Sequence, residues 1–113
     1  MMNTEENRAY NVLLVEDDVD IWEMLSVILL EDNVELTWAR TGRQAMSKLT
    51  DHRYDLVMLD LGLPDINGFD VLRAIKGESG RSGAPVLILT ALNATRDKLL
   101  GFELGASDYL TKP

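Results

Sequence analysis

The chain has 113 residues, 46% of them apolar and 27% charged, with no cysteine and a formal net charge of −8. That length fits one compact domain with its own core, and the lack of thiols excludes disulfides and thiolate metal sites. The acidity argues against direct contact with nucleic acid, where phosphates need clustered Lys and Arg.

The first ten residues, "MMNTEENRAY", form a polar tail (1–10) without the apolar core of a signal peptide. No apolar run approaches the ~20 residues that span a bilayer. The expected compartment is therefore the cytoplasm, with no membrane contact. "NVLLV" (11–15) is short, apolar and β-rich, and predicts a buried strand. Asp18 can cap the helix that follows, in which Ile21, Leu25, Ile28 and Leu29 recur at helical spacing. "VELTWA" (34–39) alternates and predicts a strand nearer a sheet edge. Thr41 is the N-cap candidate of a second helix that runs to about Asp51, with Ala45, Met46 and Leu49 inward.

"DLVMLD" (55–60) predicts another buried strand, followed by a loop with Pro64 and Asn67-Gly68. A third helix has Phe69, Leu72 and Ile75 inward. "ESGRSGA" (78–84) is a Gly/Ser loop and "PVLILT" (85–90) a buried strand. "ATRDKLLGFELG" (94–105) predicts a helix with a terminal Gly cap, and "SDYLT" (107–111) a fifth strand. Near-continuous apolar strands alternating with helices imply a parallel sheet covered on both faces. Five strands fit a doubly wound, flavodoxin-like α/β fold of order 2-1-3-4-5 over residues 11–113.

In such sheets, ligands bind beyond the carboxyl ends of the strands at the switch point of the topology. Glu16, Asp17 and Asp18 follow the first strand. Asp60 ends the third, Thr90 the fourth, and Thr111-Lys112 the fifth. Asp18 alone reads as a solvated helix cap. The other strand ends converge on one edge, with carboxylates, a hydroxyl and an ammonium. Clustered carboxylates repel one another unless a cation joins them. An oxygen-only ligand set points to a hard ion, Mg2+ before Zn2+. Mg2+ shares its sphere readily with a phosphoryl group, whose oxygens Thr90 and Lys112 are suited to hold. An aspartate can itself take a phosphoryl group as nucleophile, and the central Asp60 is the candidate.

The segments "VLLVEDD", "DLVMLDLGLPDINGFDVL", "VLILTA" and "GASDYLTKP" resemble, in order and spacing, the receiver domain of two-component response regulators, a CheY-like fold. The resemblance covers nearly the whole chain. It implies that a sensor histidine kinase phosphorylates Asp60. It also implies that Asp17, Asp60 and the Gly62 carbonyl hold Mg2+, with Glu16 acting mostly through water. Thr90 and Tyr109 would be the switch pair, and Lys112 would contact the phosphoryl. The Lys112–Pro113 bond would be cis, and Gly62 and Leu92 would flank the route of the hydrolytic water, predicting slow loss of the phosphoryl.

The stretch "ATRDKLLGFELGASDYLTKP" is similar to regulators with a C-terminal winged-helix DNA-binding domain. Such proteins commonly dimerise through the fourth helix, fifth strand and fifth helix, and Arg96, Asp97, Lys98 and Asp108 would be interface charges. Ser107 stands where the family has an acid. The family's fifth helix and effector domain would follow Pro113, so the sheet face beside the first helix is expected to be partly uncovered and to favour self-association. His52 is expected to be exposed and without a role in the chemistry, and Trp22 and Trp38 to serve packing.

Three other functions compete with this one. A Mg2+-dependent phosphatase with an Asp nucleophile would need a second Asp at position 62, where Gly62 stands. A flavodoxin-like cofactor binder would need a phosphate loop where "VEDDVD" stands. A receiver-like interaction module without phosphorylation would not need the complete residue set.

Overall fold

The structure is a computed structural model. It describes residues 9–30, 32–77, 83–91 and 95–112, with the backbone alone at 90 and 95–97. Five strands alternate with four helices among these residues: β1 Tyr10–Val15, α1 Val19–Ile28, β2 Val34–Ala39, α2 Gly42–Asp51, β3 Leu56–Asp60, α3 Gly68–Lys76, β4 Val86–Thr90, α4 Thr95–Glu103 and β5 Asp108–Thr111. The strands form one sheet in the order β2-β1-β3-β4-β5, and every pairing is parallel. Element ends differ from the sequence expectation by no more than two residues. Tyr10 opens β1 rather than closing the tail, β3, β4 and β5 each begin one residue later, and α4 ends at Glu103.

The local signals act as their chemistry requires. Asp18 accepts from the Asp20 amide, Thr41 from that of Gln44 and Asn67 from that of Phe69, so three side chains satisfy amides at helix starts that no carbonyl can reach. α4 ends in a Schellman arrangement. The Ala106 amide donates to Gly101 O and the Gly105 amide to Phe102 O, with Gly105 at φ 106°.

The two faces of the sheet bury separate apolar clusters. Leu13, Val15, Val57, Leu59, Val86 and Ile88 pack with α2 and α3 residues Ala45, Val71, Leu72 and Ile75. On the other face Val12, Leu14, Met58 and Leu89 pack with Leu25 of α1. Alternate strand residues supply the two clusters, the period-2 geometry of a strand buried on both sides. Truncating one of the fully buried leucines would cost about 2–5 kcal/mol.

On the α1 face Leu110 is half exposed, while Met58 and Leu89 are buried. An apolar groove of about 410 Å3 remains between α1 and the sheet, lined by Val12, Leu25, Leu29, Leu56, Met58 and Leu87 among others. No helix among the described residues is long and apolar enough to cross a membrane.

Candidate functional site

The order β2-β1-β3-β4-β5 sets the carboxyl ends of β1 and β3 side by side, and the polar residues gather there. Register pairs Val15 with Leu59 and Asp60 with Leu89. Glu16, one step beyond β1, therefore lies next to Asp60 at the end of β3. One carboxylate oxygen from each of Glu16, Asp17 and Asp60 lies within 4.8 Å of the others. Glu16 is fully buried, Asp60 nearly so, and Asp17 is exposed. The three line a cleft of about 970 Å3 together with Gly62, Asn67 and Lys112.

Lys112 reaches into the cluster from the end of β5. Its Nζ lies 2.8 Å from Glu16 Oε2 and 3.2 Å from Asp60 Oδ1, and it donates to Glu16 Oε1 at 3.1 Å. Burial alone would push the ammonium down, but the hydrogen bond to Glu16 and the charges of Asp60 and Glu16 outweigh it and hold Lys112 above its ordinary value. Glu16 is pushed up to about 7, chiefly by burial and further by the charge of Asp60, while the hydrogen bond from Lys112 opposes the rise. One lysine thus faces two buried acids. Glu16 Oε2 is buried without a well-directed hydrogen bond, despite its contact with the ammonium. Three convergent carboxylates, one with an unsatisfied oxygen, are a donor set that fits a hard divalent cation.

The loops around the cluster are tied down by short-range bonds. The Gly62 amide donates to Asp60 Oδ1 at 3.1 Å, and the Asp18 amide to Glu16 Oε1 at 3.1 Å. Gly68 starts α3 directly against the end of β3. A Cβ there would lie 2.6 Å from Leu61 Cα and 2.9 Å from Asp60 O, so a larger residue would displace the strand end that carries Asp60. Asp65, in the same β3–α3 loop, accepts from the Gly42 and Arg43 amides at 2.8 and 3.0 Å and so docks the loop on the start of α2.

The expected site residues fall out as follows. Glu16, Asp17, Asp60, Gly62 and Lys112 come together. Asp18 is set apart as the α1 cap. Thr90 is at the end of β4, paired with Thr111, but its side chain lies outside the described residues, as do Leu92, Pro113 with its expected cis bond, and the side chains of Arg96 and Asp97. Tyr109 is half buried, with its ring edge-on to Phe102 at 4.8 Å and its hydroxyl donating to Lys98 O of α4. His52 is exposed beyond the end of α2. Sequence reasoning missed Asp65, whose signal was a carboxylate in the turn "PDING" one loop away from a helix start. It also missed Lys76, buried with its Nζ donating to Ala84 O at 2.9 Å; nothing in a helical "AIKG" marks that lysine as inward.

A doubly wound sheet with three carboxylates and a lysine at its switch point is the architecture that the sequence resemblance to receiver domains implied. The comparisons agree. A family model described as the response regulator receiver domain matches residues 12–113. The DNA-binding response regulator MtrA of Mycobacterium tuberculosis is 41% identical over 102 residues, 90% of this chain and 43% of MtrA. Among solved structures, the chemotaxis response regulator CheY4 of Vibrio cholerae superposes with a TM-score of 0.83 at 31% identity, over 93% of this chain and 88% of that one. The Mn(2+)-bound form of response regulator Rcp1 gives 0.83 at 32% identity, over 92% and 81%. The chain belongs to the response regulator receiver domain family. It spans less than half the length of the curated relatives it matches.

Proposed function

We propose that Asp60 accepts a phosphoryl group from a sensor histidine kinase in a Mg2+-dependent reaction, and that the product shifts the α4–β5 surface. The observation that carries this reading is the convergence at Asp60: Lys112 Nζ 3.2 Å from Oδ1, with oxygens of Glu16 and Asp17 within 4.8 Å. A carboxylate oxygen of Asp60 attacks phosphorus as the P–N bond to the donor imidazole breaks. The bonding pair returns to the imidazole nitrogen, and an acyl phosphate remains on Asp60. Glu16, Asp17, Asp60 and the Gly62 carbonyl are the groups proposed to hold Mg2+, with Glu16 acting mostly through water. When bound, Mg2+ neutralises charge on the carboxylates and on the phosphoryl oxygens.

Among the described residues, Lys112 brings a cation to the cluster. It already contacts an oxygen of Asp60, so a phosphoryl oxygen on Asp60 falls within its reach, and Thr90 would hold a second one. Thr90 moving toward the phosphoryl would change the space open to Tyr109 and repack α4 against β5. Leu99 and Phe102 are exposed on that surface, which suits a homodimer contact, and the apolar groove beside α1 is a second candidate surface. MtrA is a DNA-binding response regulator by name, so the output proposed here is transcriptional and cytoplasmic, through a DNA-binding domain outside these residues. Direct contact of this acidic domain with nucleic acid is not expected. Turnover of small phosphoesters is not expected, because Gly62 stands where a phosphatase of this kind would carry its general acid.

Intact mass after incubation with acetyl phosphate tests the reading. One phosphoryl adduct is expected with Mg2+ and none with a chelator or in Asp60→Asn. An equal adduct in chelator would remove the metal from the mechanism, and an equal adduct on the variant would remove Asp60.

A further inference from the structure

The peptide that joins Glu16 to Asp17 is gripped from one side by the edge strand. The Glu16 amide donates to Ala39 O at 3.0 Å, the last rung of the β1–β2 ladder. The Glu16 carbonyl, one atom group further on, has left the ladder. It accepts instead from the indole Nε1 of Trp38 at 2.7 Å. Trp38 pairs with Leu14 in register and packs in the cluster on the α1 face, so its ring lies along the sheet toward the carboxyl ends. Two further groups fix that ring. Trp22 of α1 stacks on it with centroids 4.7 Å apart and planes 15° from parallel. The Arg40 guanidinium carbon lies 4.9 Å from its centroid.

We infer that Trp38 is a positioning residue for the metal-binding loop: its indole N–H fixes the Glu16–Asp17 peptide plane and thereby aims Asp17 at the cluster. The inference rests on the proposal that the three carboxylates hold Mg2+. Asp17 is the exposed member of the three, so burial does little to orient it. Its direction follows from the backbone on either side. On the far side the Asp18 amide is held by Glu16 Oε1; on the near side the indole holds the carbonyl. Without the indole donor the peptide plane can turn, Asp17 samples orientations away from the cluster, and the cation loses affinity by the fraction of time spent there. The stack with Trp22 and Arg40 serves to hold the donor still. A backbone-directed hydrogen bond of this kind is worth about three- to tenfold in an equilibrium.

The test uses calorimetric Mg2+ titration and NMR on the whole 113-residue chain. Trp38→Phe keeps an aromatic ring for the stack and removes the donor; Trp22→Phe alters the stack and keeps the donor. Trp38→Phe is expected to weaken Mg2+ binding about three- to tenfold and, in the metal-free protein, to move the amide signals of Asp17 and Asp18. Trp22→Phe is expected to leave the Mg2+ affinity within about twofold. A second measurement needs no variant. Coupling is reciprocal, so saturating Mg2+ should slow exchange of the Trp38 indole proton in the wild type by the same factor and leave that of Trp22 unchanged. Wild type that binds Mg2+ with no change in Trp38 proton exchange, or Trp38→Phe that folds and binds as tightly as wild type, overturns the role of Trp38 and leaves the metal reading intact. Wild type that binds no Mg2+ overturns both.

Discussion

Glu16 gives the sharpest quantitative prediction, because it is an acid buried without a full complement of partners. Its carboxyl is pushed from an ordinary 4.5 up to about 7, first by burial and then by the charge of Asp60, against the hydrogen bond from Lys112. The metal-free folded state therefore binds a proton that the unfolded state has already lost. Stability from this group is fully present below about 4.5 and falls as pH rises toward 7. Each pH unit across that interval is worth about 1.4 kcal/mol, so the loss is on the order of 3 kcal/mol.

Lys112 does not contribute to this slope. A raised ammonium stabilises the fold up to its ordinary 10.5 and loses that contribution only above it. Urea unfolding in chelator from pH 4.5 to 8 measures the effect, and the difference between wild type and Glu16→Gln cancels the other titrating groups. Wild type should lose stability relative to the variant as pH rises, and Mg2+ should abolish the difference in slope, since a bound cation favours the ionised acid. Parallel stability curves for the two proteins in chelator would show that burial does not hold the Glu16 proton and would refute the reasoning.

The structure makes two further predictions away from the chemistry itself. A Cβ on Gly101 would run into the Tyr109 hydroxyl and come within 2.7 Å of Ile88 Cδ1, so Gly101→Ala should expel the tyrosine ring from α4 at a cost of about 1–3 kcal/mol; persistent ring contacts between Tyr109 and Phe102 by NMR, at unchanged stability, would contradict this. Burial pushes the Asp65 carboxyl up, but the amides of Arg43, Gly42 and Ile66 and its own amide outweigh it and hold the carboxyl below its ordinary 3.8. Asp65 thus stabilises the α2 start above that pH and ceases to as pH falls below it. Asp65→Ala should accelerate amide exchange at Gly42 and Arg43 at neutral pH, and unchanged exchange at both would show that the loop does not depend on this cap.

The fold was legible because each buried strand is written as an unbroken apolar run and the first two helices as periods that start at an oxygen-bearing cap, Asp18 and Thr41. "VLLV", "LVML" and "VLIL" need partners on both faces, and a parallel sheet is what supplies them. Asp60 was legible for the same reason: an acid at the lip of such a run is out of place in a core and in place at a strand end. What the sequence hid was contact across elements. Trp38 read as packing because a ring and its N–H are one letter, and the donor's partner is a carbonyl 22 positions away. Asp65 went unread because the helix start it caps comes earlier in the chain. The run "VLIL" likewise does not say that Leu89 is covered while Leu110, on the neighbouring edge strand, stays half exposed.

The central claim is that Asp60 is the phosphoacceptor, and the most direct measurement names the modified residue. The acetyl-phosphate-treated chain, with Mg2+, is reduced with borohydride, which converts an aspartyl phosphate to homoserine, and the peptides are sequenced by mass spectrometry. The account predicts homoserine at position 60 alone, absent when Mg2+ is chelated. Homoserine at position 17 or 65 in place of 60, or a phosphoryl adduct that resists reduction, would contradict it.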